Sequence, residues 1–317
     1  MARKETAGIH HITAIVGDPQ ENVDFYAGIL GLRLVKKTVN FDDPGTYHLY
    51  FGNEEGKPGT IMTFFPWPGA YKGRIGGGQV GVTTFVVPEN ALAFWEERFS
   101  KFNVFAKKET RFGEEFLQFE DPHGLRLELV ARSEGPKSEW EFDGITANEA
   151  IKGFGGAILL SASPYQTAEL LERVMGMEHV GQEDSYLRFR STGELGNVID
   201  IYLNASPRGT MGVGTVHHIA WRARDFEDHK EWQKHIGENG YHPTDILDRQ
   251  YFNAIYFREA GGLLFEIATD PPGFDRDEPA DVMGEQLMLP PWLEPHREKI
   301  EEILLPVTVR QLKGGQS

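Results

Sequence analysis

The sequence predicts an α+β protein built from four tandem βαβββ modules. Three observations lead there. Two segments far apart in the chain open alike, with a doubled histidine in an alternating, β-branched run. Two weaker copies of that opening lie between them. After each opening come a helix-like stretch and three short strand-like runs.

The first opening, IHHITAIVGDPQENVDFY (Ile9 to Tyr26), and the fourth, VHHIAWRARDFEDHKEW (Val216 to Trp232), both reach an Asp seven residues after the second His, Asp18 and Asp225. Asp followed by Pro19 is a sound helix start, and aromatics then recur on one side. The second copy has a strand from Gly81 to Pro88 and the helical pattern ENALAFWEERF. The third has a strand from Gly155 to Pro164 and then YQTAELLERVMG. Closing hairpins turn at Pro122-His123-Gly124 and at Gly261-Gly262. Matching first-strand positions fall at residues 11, 82, 156 and 218, so loop length alone varies the period. The expected modules are 6–70, 77–133, 152–206 and 212–271. A Gly-, Pro- and charge-rich linker runs from Ser133 to Asn148, and a tail over 272–317 carries one helix, Glu294 to Leu304.

Bulk properties narrow the function. Forty-eight acidic residues against 32 basic ones give a net charge of −16, a field that repels phosphate backbones, so nucleic acid is not an expected partner. No apolar run has the roughly 18 residues that a membrane helix needs, and the first residues lack the apolar core of a signal peptide. A cytoplasmic protein is expected. The cysteine count is 0, which removes disulfides, thiolate catalysis and Cys-based zinc sites.

A tandem βαβββ module with His in a first strand and Glu in a fourth resembles the vicinal-oxygen-chelate superfamily of glyoxalases, fosfomycin-resistance enzymes and extradiol dioxygenases. His11-x6-Asp18 and the hairpin Gly262-x3-Glu266 carry the resemblance, which covers about residues 6–271. Four modules point to its dioxygenase branch. The pairs His10-His11 and His217-His218, with Arg249 and Tyr256 before Glu266, are similar to the hydroquinone ring-cleaving dioxygenases.

The resemblance implies two vicinal-oxygen-chelate barrels, each with two modules side by side around a cleft. Each module offers a first-strand and a fourth-strand position: His11 and Thr63, Val82 and Glu128, Gly156 and Asp200, His218 and Glu266. Only modules 1 and 4 together supply two imidazoles and a carboxylate, so His11, His218 and Glu266 are the expected metal ligands. Thr63 is a poor ligand and leaves an open side. Two His and one carboxylate on one face suit Fe(II), with Mn(II) as the alternative. Glu128 and Asp200 have no imidazole beside them and are expected to bind no metal. In most extradiol enzymes modules 3 and 4 hold the metal. Here module 1 must pack against module 4, within one chain or across a homo-oligomer.

Strand alternation puts Thr13 on the same face as His11, and turns His10 and His217 away from the cleft, where they could support the ligands or simply be buried. A turn at Gly261 sets Tyr256 opposite Glu266, in reach of a bound phenolate, with Arg249 close by to stabilise negative charge. Phe64, Trp221 and Phe252 are candidate cleft aromatics. The expected activity is ring cleavage of a hydroquinone-type aromatic diol by O2. A glyoxalase-like metalloenzyme, or a protein that sequesters a small aromatic, is the alternative.

Overall fold

The computed structural model describes residues 4–314, so the last three residues of the expected tail lie outside the described residues. The first unit runs β1 (Ile9–Val16), α1 (Pro19–Val23) continued by a π-helical turn (Asp24–Ile29), β2 (Arg33–Asn40), β3 (Asp43–Gly52) and β4 (Ile61–Pro66). The second is β5 (Gln79–Val87), α2 (Leu92–Lys101), β6 (Ala106–Arg111), β7 (Glu114–Glu120) and β8 (Arg126–Ala131). The third is β9 (Gly153–Leu160), α3 (Pro164–Glu169) with its own π-helical turn (Leu170–Val174), β10 (Glu178–Glu183), β11 (Tyr186–Arg190) and β12 (Val198–Tyr202). The fourth is β13 (Thr215–Ala223), α4 (Phe226–Glu238), β14 (Leu247–Asp248), β15 (Phe252–Arg258) and β16 (Leu264–Pro272).

The two recurring aspartates cap helices. Asp18 accepts from the backbone N–H groups of Gln20 and Glu21, and Asp225 from those of Glu227 and Asp228. Each satisfies donors that a helix start leaves orphaned. The helices bury Tyr26, Trp95, Phe99 and Trp232 in a core that they share with the strands.

Two eight-stranded sheets result, in the orders β14-β15-β16-β13-β1-β4-β3-β2 and β10-β11-β12-β9-β5-β8-β7-β6. Each is two modules joined edge to edge by their first strands. Modules 1 and 4 therefore share one sheet within a single chain, through the antiparallel pair β1/β13.

That seam is bulged twice. Ile9 and His11 oppose Trp221 and Ala220, which leaves His10 as an extra residue. Thr13 and Ala14 oppose His218 and Val216, which leaves His217 extra. The β5/β9 seam carries the same two bulges, with Gly81 and Gly155 as the extra residues. A bulge re-aims the side chains beside it, and here each one immediately precedes a first-strand ligand position.

After β16 the chain crosses back over module 1. Met288 N–H donates to the Lys37 carbonyl, and α5 (Arg297–Ile303) packs near β3. Lys36, wholly buried, has its ammonium 2.8 Å from both Asp277 and Glu278 of this tail. In the segment between modules 2 and 3, Ile145 is buried and Trp140 lies under the Arg33 guanidinium. Among the described residues no helix is long and apolar enough to cross a membrane.

Candidate metal centre

The bulged seam carries His11 on β1 and His218 on β13, and Glu266 stands on the neighbouring β16. Their nearest atoms form a small triangle. His11 Nε2 is 3.3 Å from His218 Nε2, and Glu266 Oε2 is 3.3 Å from His11 Nε2 and 2.9 Å from His218 Nε2. Ligands bound at about 2.1 Å and at right angles to one ion are about 3 Å apart. All three side chains are buried, and neither carboxylate oxygen of Glu266 has a hydrogen-bond partner. An ionised carboxylate left so in a protein interior is costly unless a cation completes it. Burial raises the pKa of Glu266, but His11 and His218 outweigh it and hold the group well below the usual carboxylate range. The residues fit a metal, and among the described residues this is the one such cluster.

His10 fixes the tautomer of His11. Its Nε2 lies 3.1 Å from the Thr269 carbonyl, which can only accept, so that nitrogen bears the proton. Burial first, and then the neighbouring His11, hold the His10 imidazole well below its ordinary pKa, so it is neutral. Its Nδ1 then accepts from His11 Nδ1–H at 2.9 Å, and the lone pair of His11 Nε2 faces the triangle. The pair His217–His218 repeats the contact, Nδ1 to Nδ1 at 2.8 Å. Such outer partners orient ligating imidazoles.

Simple alternation misplaces one of these partners. His217 does not turn away: it lines the cavity beside the triangle, and each doublet brings its two rings within 5.1 Å. The bulges are the reason, because the extra residue breaks the period of two. Phe64 and Trp221 are likewise not cleft aromatics. Both lie wholly in the core, since each follows a cleft-facing neighbour (Thr63, Ala220) on an unbulged stretch and points the other way. Phe252 does line the cavity, 4.9 Å from the His11 ring.

The cavity has a volume of about 350 Å³. Phe41, Phe65, Trp67 and Phe252 give it aromatic walls; Tyr256, Arg249 and Asp42 supply polar groups. Tyr256 is the Cα partner of Glu266, and burial, then Glu266, push its phenol far above the ordinary range, so it remains a donor. Arg249 lies against Tyr256 and pairs with Asp42 of the β2–β3 turn at 3.0 Å. Thr13 faces the same side as His11 but stops short of the cavity, bonded to Thr63 at 2.8 Å. Sequence reasoning missed His48, Tyr50 and Asp42. The first two carry a signal in hindsight: they alternate along β3 and so share one face.

The other sheet holds a larger cavity, about 970 Å³, lined by Arg111, Gln118, Tyr186 and Tyr202 among others. Its ligand-like carboxylates are already neutralised. Arg111 forks onto both oxygens of Glu128 (3.1 and 2.7 Å) and also reaches Asp200 at 2.8 Å, and Arg188 holds Asp200 at 2.7 and 2.8 Å. At Gly156 a Cβ would come 2.0 Å from the Val198 carbonyl oxygen, so no imidazole can stand there.

The model of the glyoxalase/bleomycin resistance protein/dioxygenase superfamily matches residues 8–129 and 159–273. The chain belongs to that superfamily. More particularly, it is 65% identical over 309 residues to MhqO of Bacillus subtilis, provisionally named a ring-cleaving dioxygenase, covering 98% of this chain and 99% of that one. A crystal structure of a provisionally named dioxygenase from Bacillus subtilis, also 65% identical, superposes with a TM-score of 0.97 over 98% of this chain and 100% of that one. The chlorohydroquinone/hydroquinone 1,2-dioxygenase of Sphingobium indicum is 33% identical over 305 residues, 92% of this chain and 94% of that one.

Proposed function

We propose that the chain is a ring-cleaving dioxygenase that opens a hydroquinone-type aromatic diol with O2 at a mononuclear Fe(II) held by His11, His218 and Glu266. The observation that carries this reading is the buried triangle of two imidazoles and an orphaned carboxylate, with Thr63 in the fourth position, beside an aromatic-walled cavity. Three protein ligands on one face leave room for two small reactants. When bound, the ion brings diol and dioxygen together and lets electron density pass between them. The names of the relatives support a diol as substrate.

The protein's own part is positioning. Phe252, Phe65 and Trp67 hold a flat ring and keep water out. His10 and His217 keep the Nε2 lone pairs of the ligands turned inward. Tyr256 donates a hydrogen bond toward a substrate oxygen, and Arg249 stabilises the negative charge that develops there. A hydroquinone, whose hydroxyls lie across the ring, could offer only one oxygen to a metal and would depend on these groups for its orientation.

The test is metal analysis of protein purified without oxygen, followed by oxygen uptake with hydroquinones and catechols. One iron per chain and preferential uptake with hydroquinones are expected. Equal uptake by iron-loaded and zinc-loaded protein would remove the redox role. Binding of diols with no uptake at all would make the chain a sequestering protein.

A further inference from the structure

The register of the shared sheet makes Tyr50 the counterpart of Tyr256. Tyr50 is the Cα partner of Thr63 across β3/β4, as Tyr256 is of Glu266 across β15/β16. Tyr50 thus stands to the open fourth corner as Tyr256 stands to the carboxylate. Two residues before Tyr256 is Ala254; two residues before Tyr50 is His48, an imidazole with no equivalent in module 4. It bridges its neighbours, with Nε2 2.8 Å from Thr63 Oγ1 and Nδ1 2.8 Å from the Tyr50 hydroxyl. Thr63 Oγ1 is in turn 2.8 Å from Thr13 Oγ1. The four side chains form one hydrogen-bonded line.

A line of this kind can run in two directions. Starting from Tyr50, each group donates to the next, and the O–H left over belongs to Thr13, which has 0% exposure and no other acceptor among the described residues. Starting from Thr13, its hydroxyl donates to Thr63, Thr63 donates to His48 Nε2, and His48 Nδ1–H donates to the Tyr50 oxygen. The O–H left over is then that of Tyr50, at the cavity wall, where an incoming oxygen can accept it. Both hydroxyls are buried, Thr13 at 0% and Tyr50 at 1%, but only Tyr50 borders the cavity and meets an acceptor when an oxygen is bound there, so the line then runs from Thr13 to Tyr50.

We propose that Tyr50 is a substrate-binding donor, aimed at an oxygen of the bound aromatic diol, and that His48 is the positioning residue that aims it. This rests on the diol reading above. The electrostatics agree with the direction. Burial, with Tyr256 and Glu266 near, holds the Tyr50 phenol protonated, and burial, with His11 and His218 near, keeps His48 neutral. A ring in this cavity then meets one phenol donor from each half of the sheet, Tyr50 and Tyr256.

The test is titration with hydroquinone under nitrogen, on iron-loaded and on metal-free protein, read through tryptophan fluorescence because Trp67 lines the cavity. Tyr50→Phe should weaken binding by about five- to tenfold, the scale of one lost hydrogen bond. His48→Phe keeps the aromatic wall and removes the donor that orients the phenol; it should cost a similar factor. The double variant should cost no more than Tyr50→Phe alone, because both act through one hydroxyl. In steady-state oxygen uptake both variants should raise KM and leave kcat within about twofold, the signature of a contact equally strong in the ground and transition states. Thermal midpoints check the fold, and Thr13→Val, which removes the first donor of the line, provides an independent variant. Wild-type affinity in Tyr50→Phe, or additive losses in the double variant, overturns this proposal alone. Wild-type protein that takes up no hydroquinone overturns it together with the diol reading.

Discussion

At the scale of single residues, the same acidic slot has opposite fates in the two sheets. Glu266 meets two imidazoles and no hydrogen-bond donor; Glu128 meets the fork of Arg111. Glu266→Gln should therefore lower metal affinity by at least about 100-fold, since even outer-shell losses cost 10- to 100-fold; equilibrium dialysis measures it. Replacing Glu128 with Gln and Asp200 with Asn should leave metal stoichiometry unchanged. It should still destabilise the fold by about 3–5 kcal/mol, because Arg111 is left buried without a counter-charge and Arg188 keeps only Glu114. Metal loss in that double variant would reveal a second ion site. Tyr256→Phe removes a donor placed for the transition state and should lower hydroquinone turnover by about 100-fold. Catechol turnover should fall less, since two metal-directed oxygens fix its ring. Equal losses would return the chain to the general extradiol class.

At the scale of elements, the bulges on β1 and β13 let a doubled histidine place both of its rings at one site. Deleting His217 would leave Val216 and His218 opposite Ala14 and Thr13 but remove the bulge that re-aims His218 and the partner of its Nδ1. A folded protein with little bound metal is the expected outcome, checked by circular dichroism and metal analysis; full metal content would show that the bulge does not set the ligand's direction. The tail matters in another way. Asp277 and Glu278 are the counter-charges of the buried Lys36. Changing both to amides should destabilise the chain by about 3–5 kcal/mol, whereas adding Lys36→Met to that variant should recover most of the loss. Chemical denaturation of the three proteins decides it.

At the scale of the whole molecule, the metal centre makes stability depend on pH. The fold holds His217 down to about 3, chiefly by burial and then by His218, and shifts His10, His48 and His218 in the same direction. Unfolded, these imidazoles take up protons near 6.5. The unfolded chain therefore binds more protons throughout the window below 6.5. Stability is complete above that pH and is lost as pH falls toward 3. Glu266, held below its ordinary value, adds a loss of the same sign at the lower end of the window. Thermal midpoints of metal-free protein should decline steadily from about pH 6.5 downward; a flat profile between pH 6.5 and 4 would contradict the burial of neutral imidazoles.

Much of this was legible in the residues themselves. Helix caps, hairpin turns and the period of two are local, so the four βαβββ units could be read from spacing and residue type, and the resemblance they carry then pointed to His11, His218 and Glu266 as candidate ligands. Three features were decided only by tertiary structure. Whether module 1 meets module 4 in one chain depends on which first strands pair, a contact between residues some 200 positions apart. The bulges at His10 and His217 are mismatches between two strands and leave no mark on either one alone. His48, Tyr50 and Asp42 reach the cavity because sheet curvature and the β2–β3 turn bring module 1 over module 4. Local pattern records what each strand offers. The geometry of pairing decides which offers meet, and a site assembled across a seam belongs to the pairing.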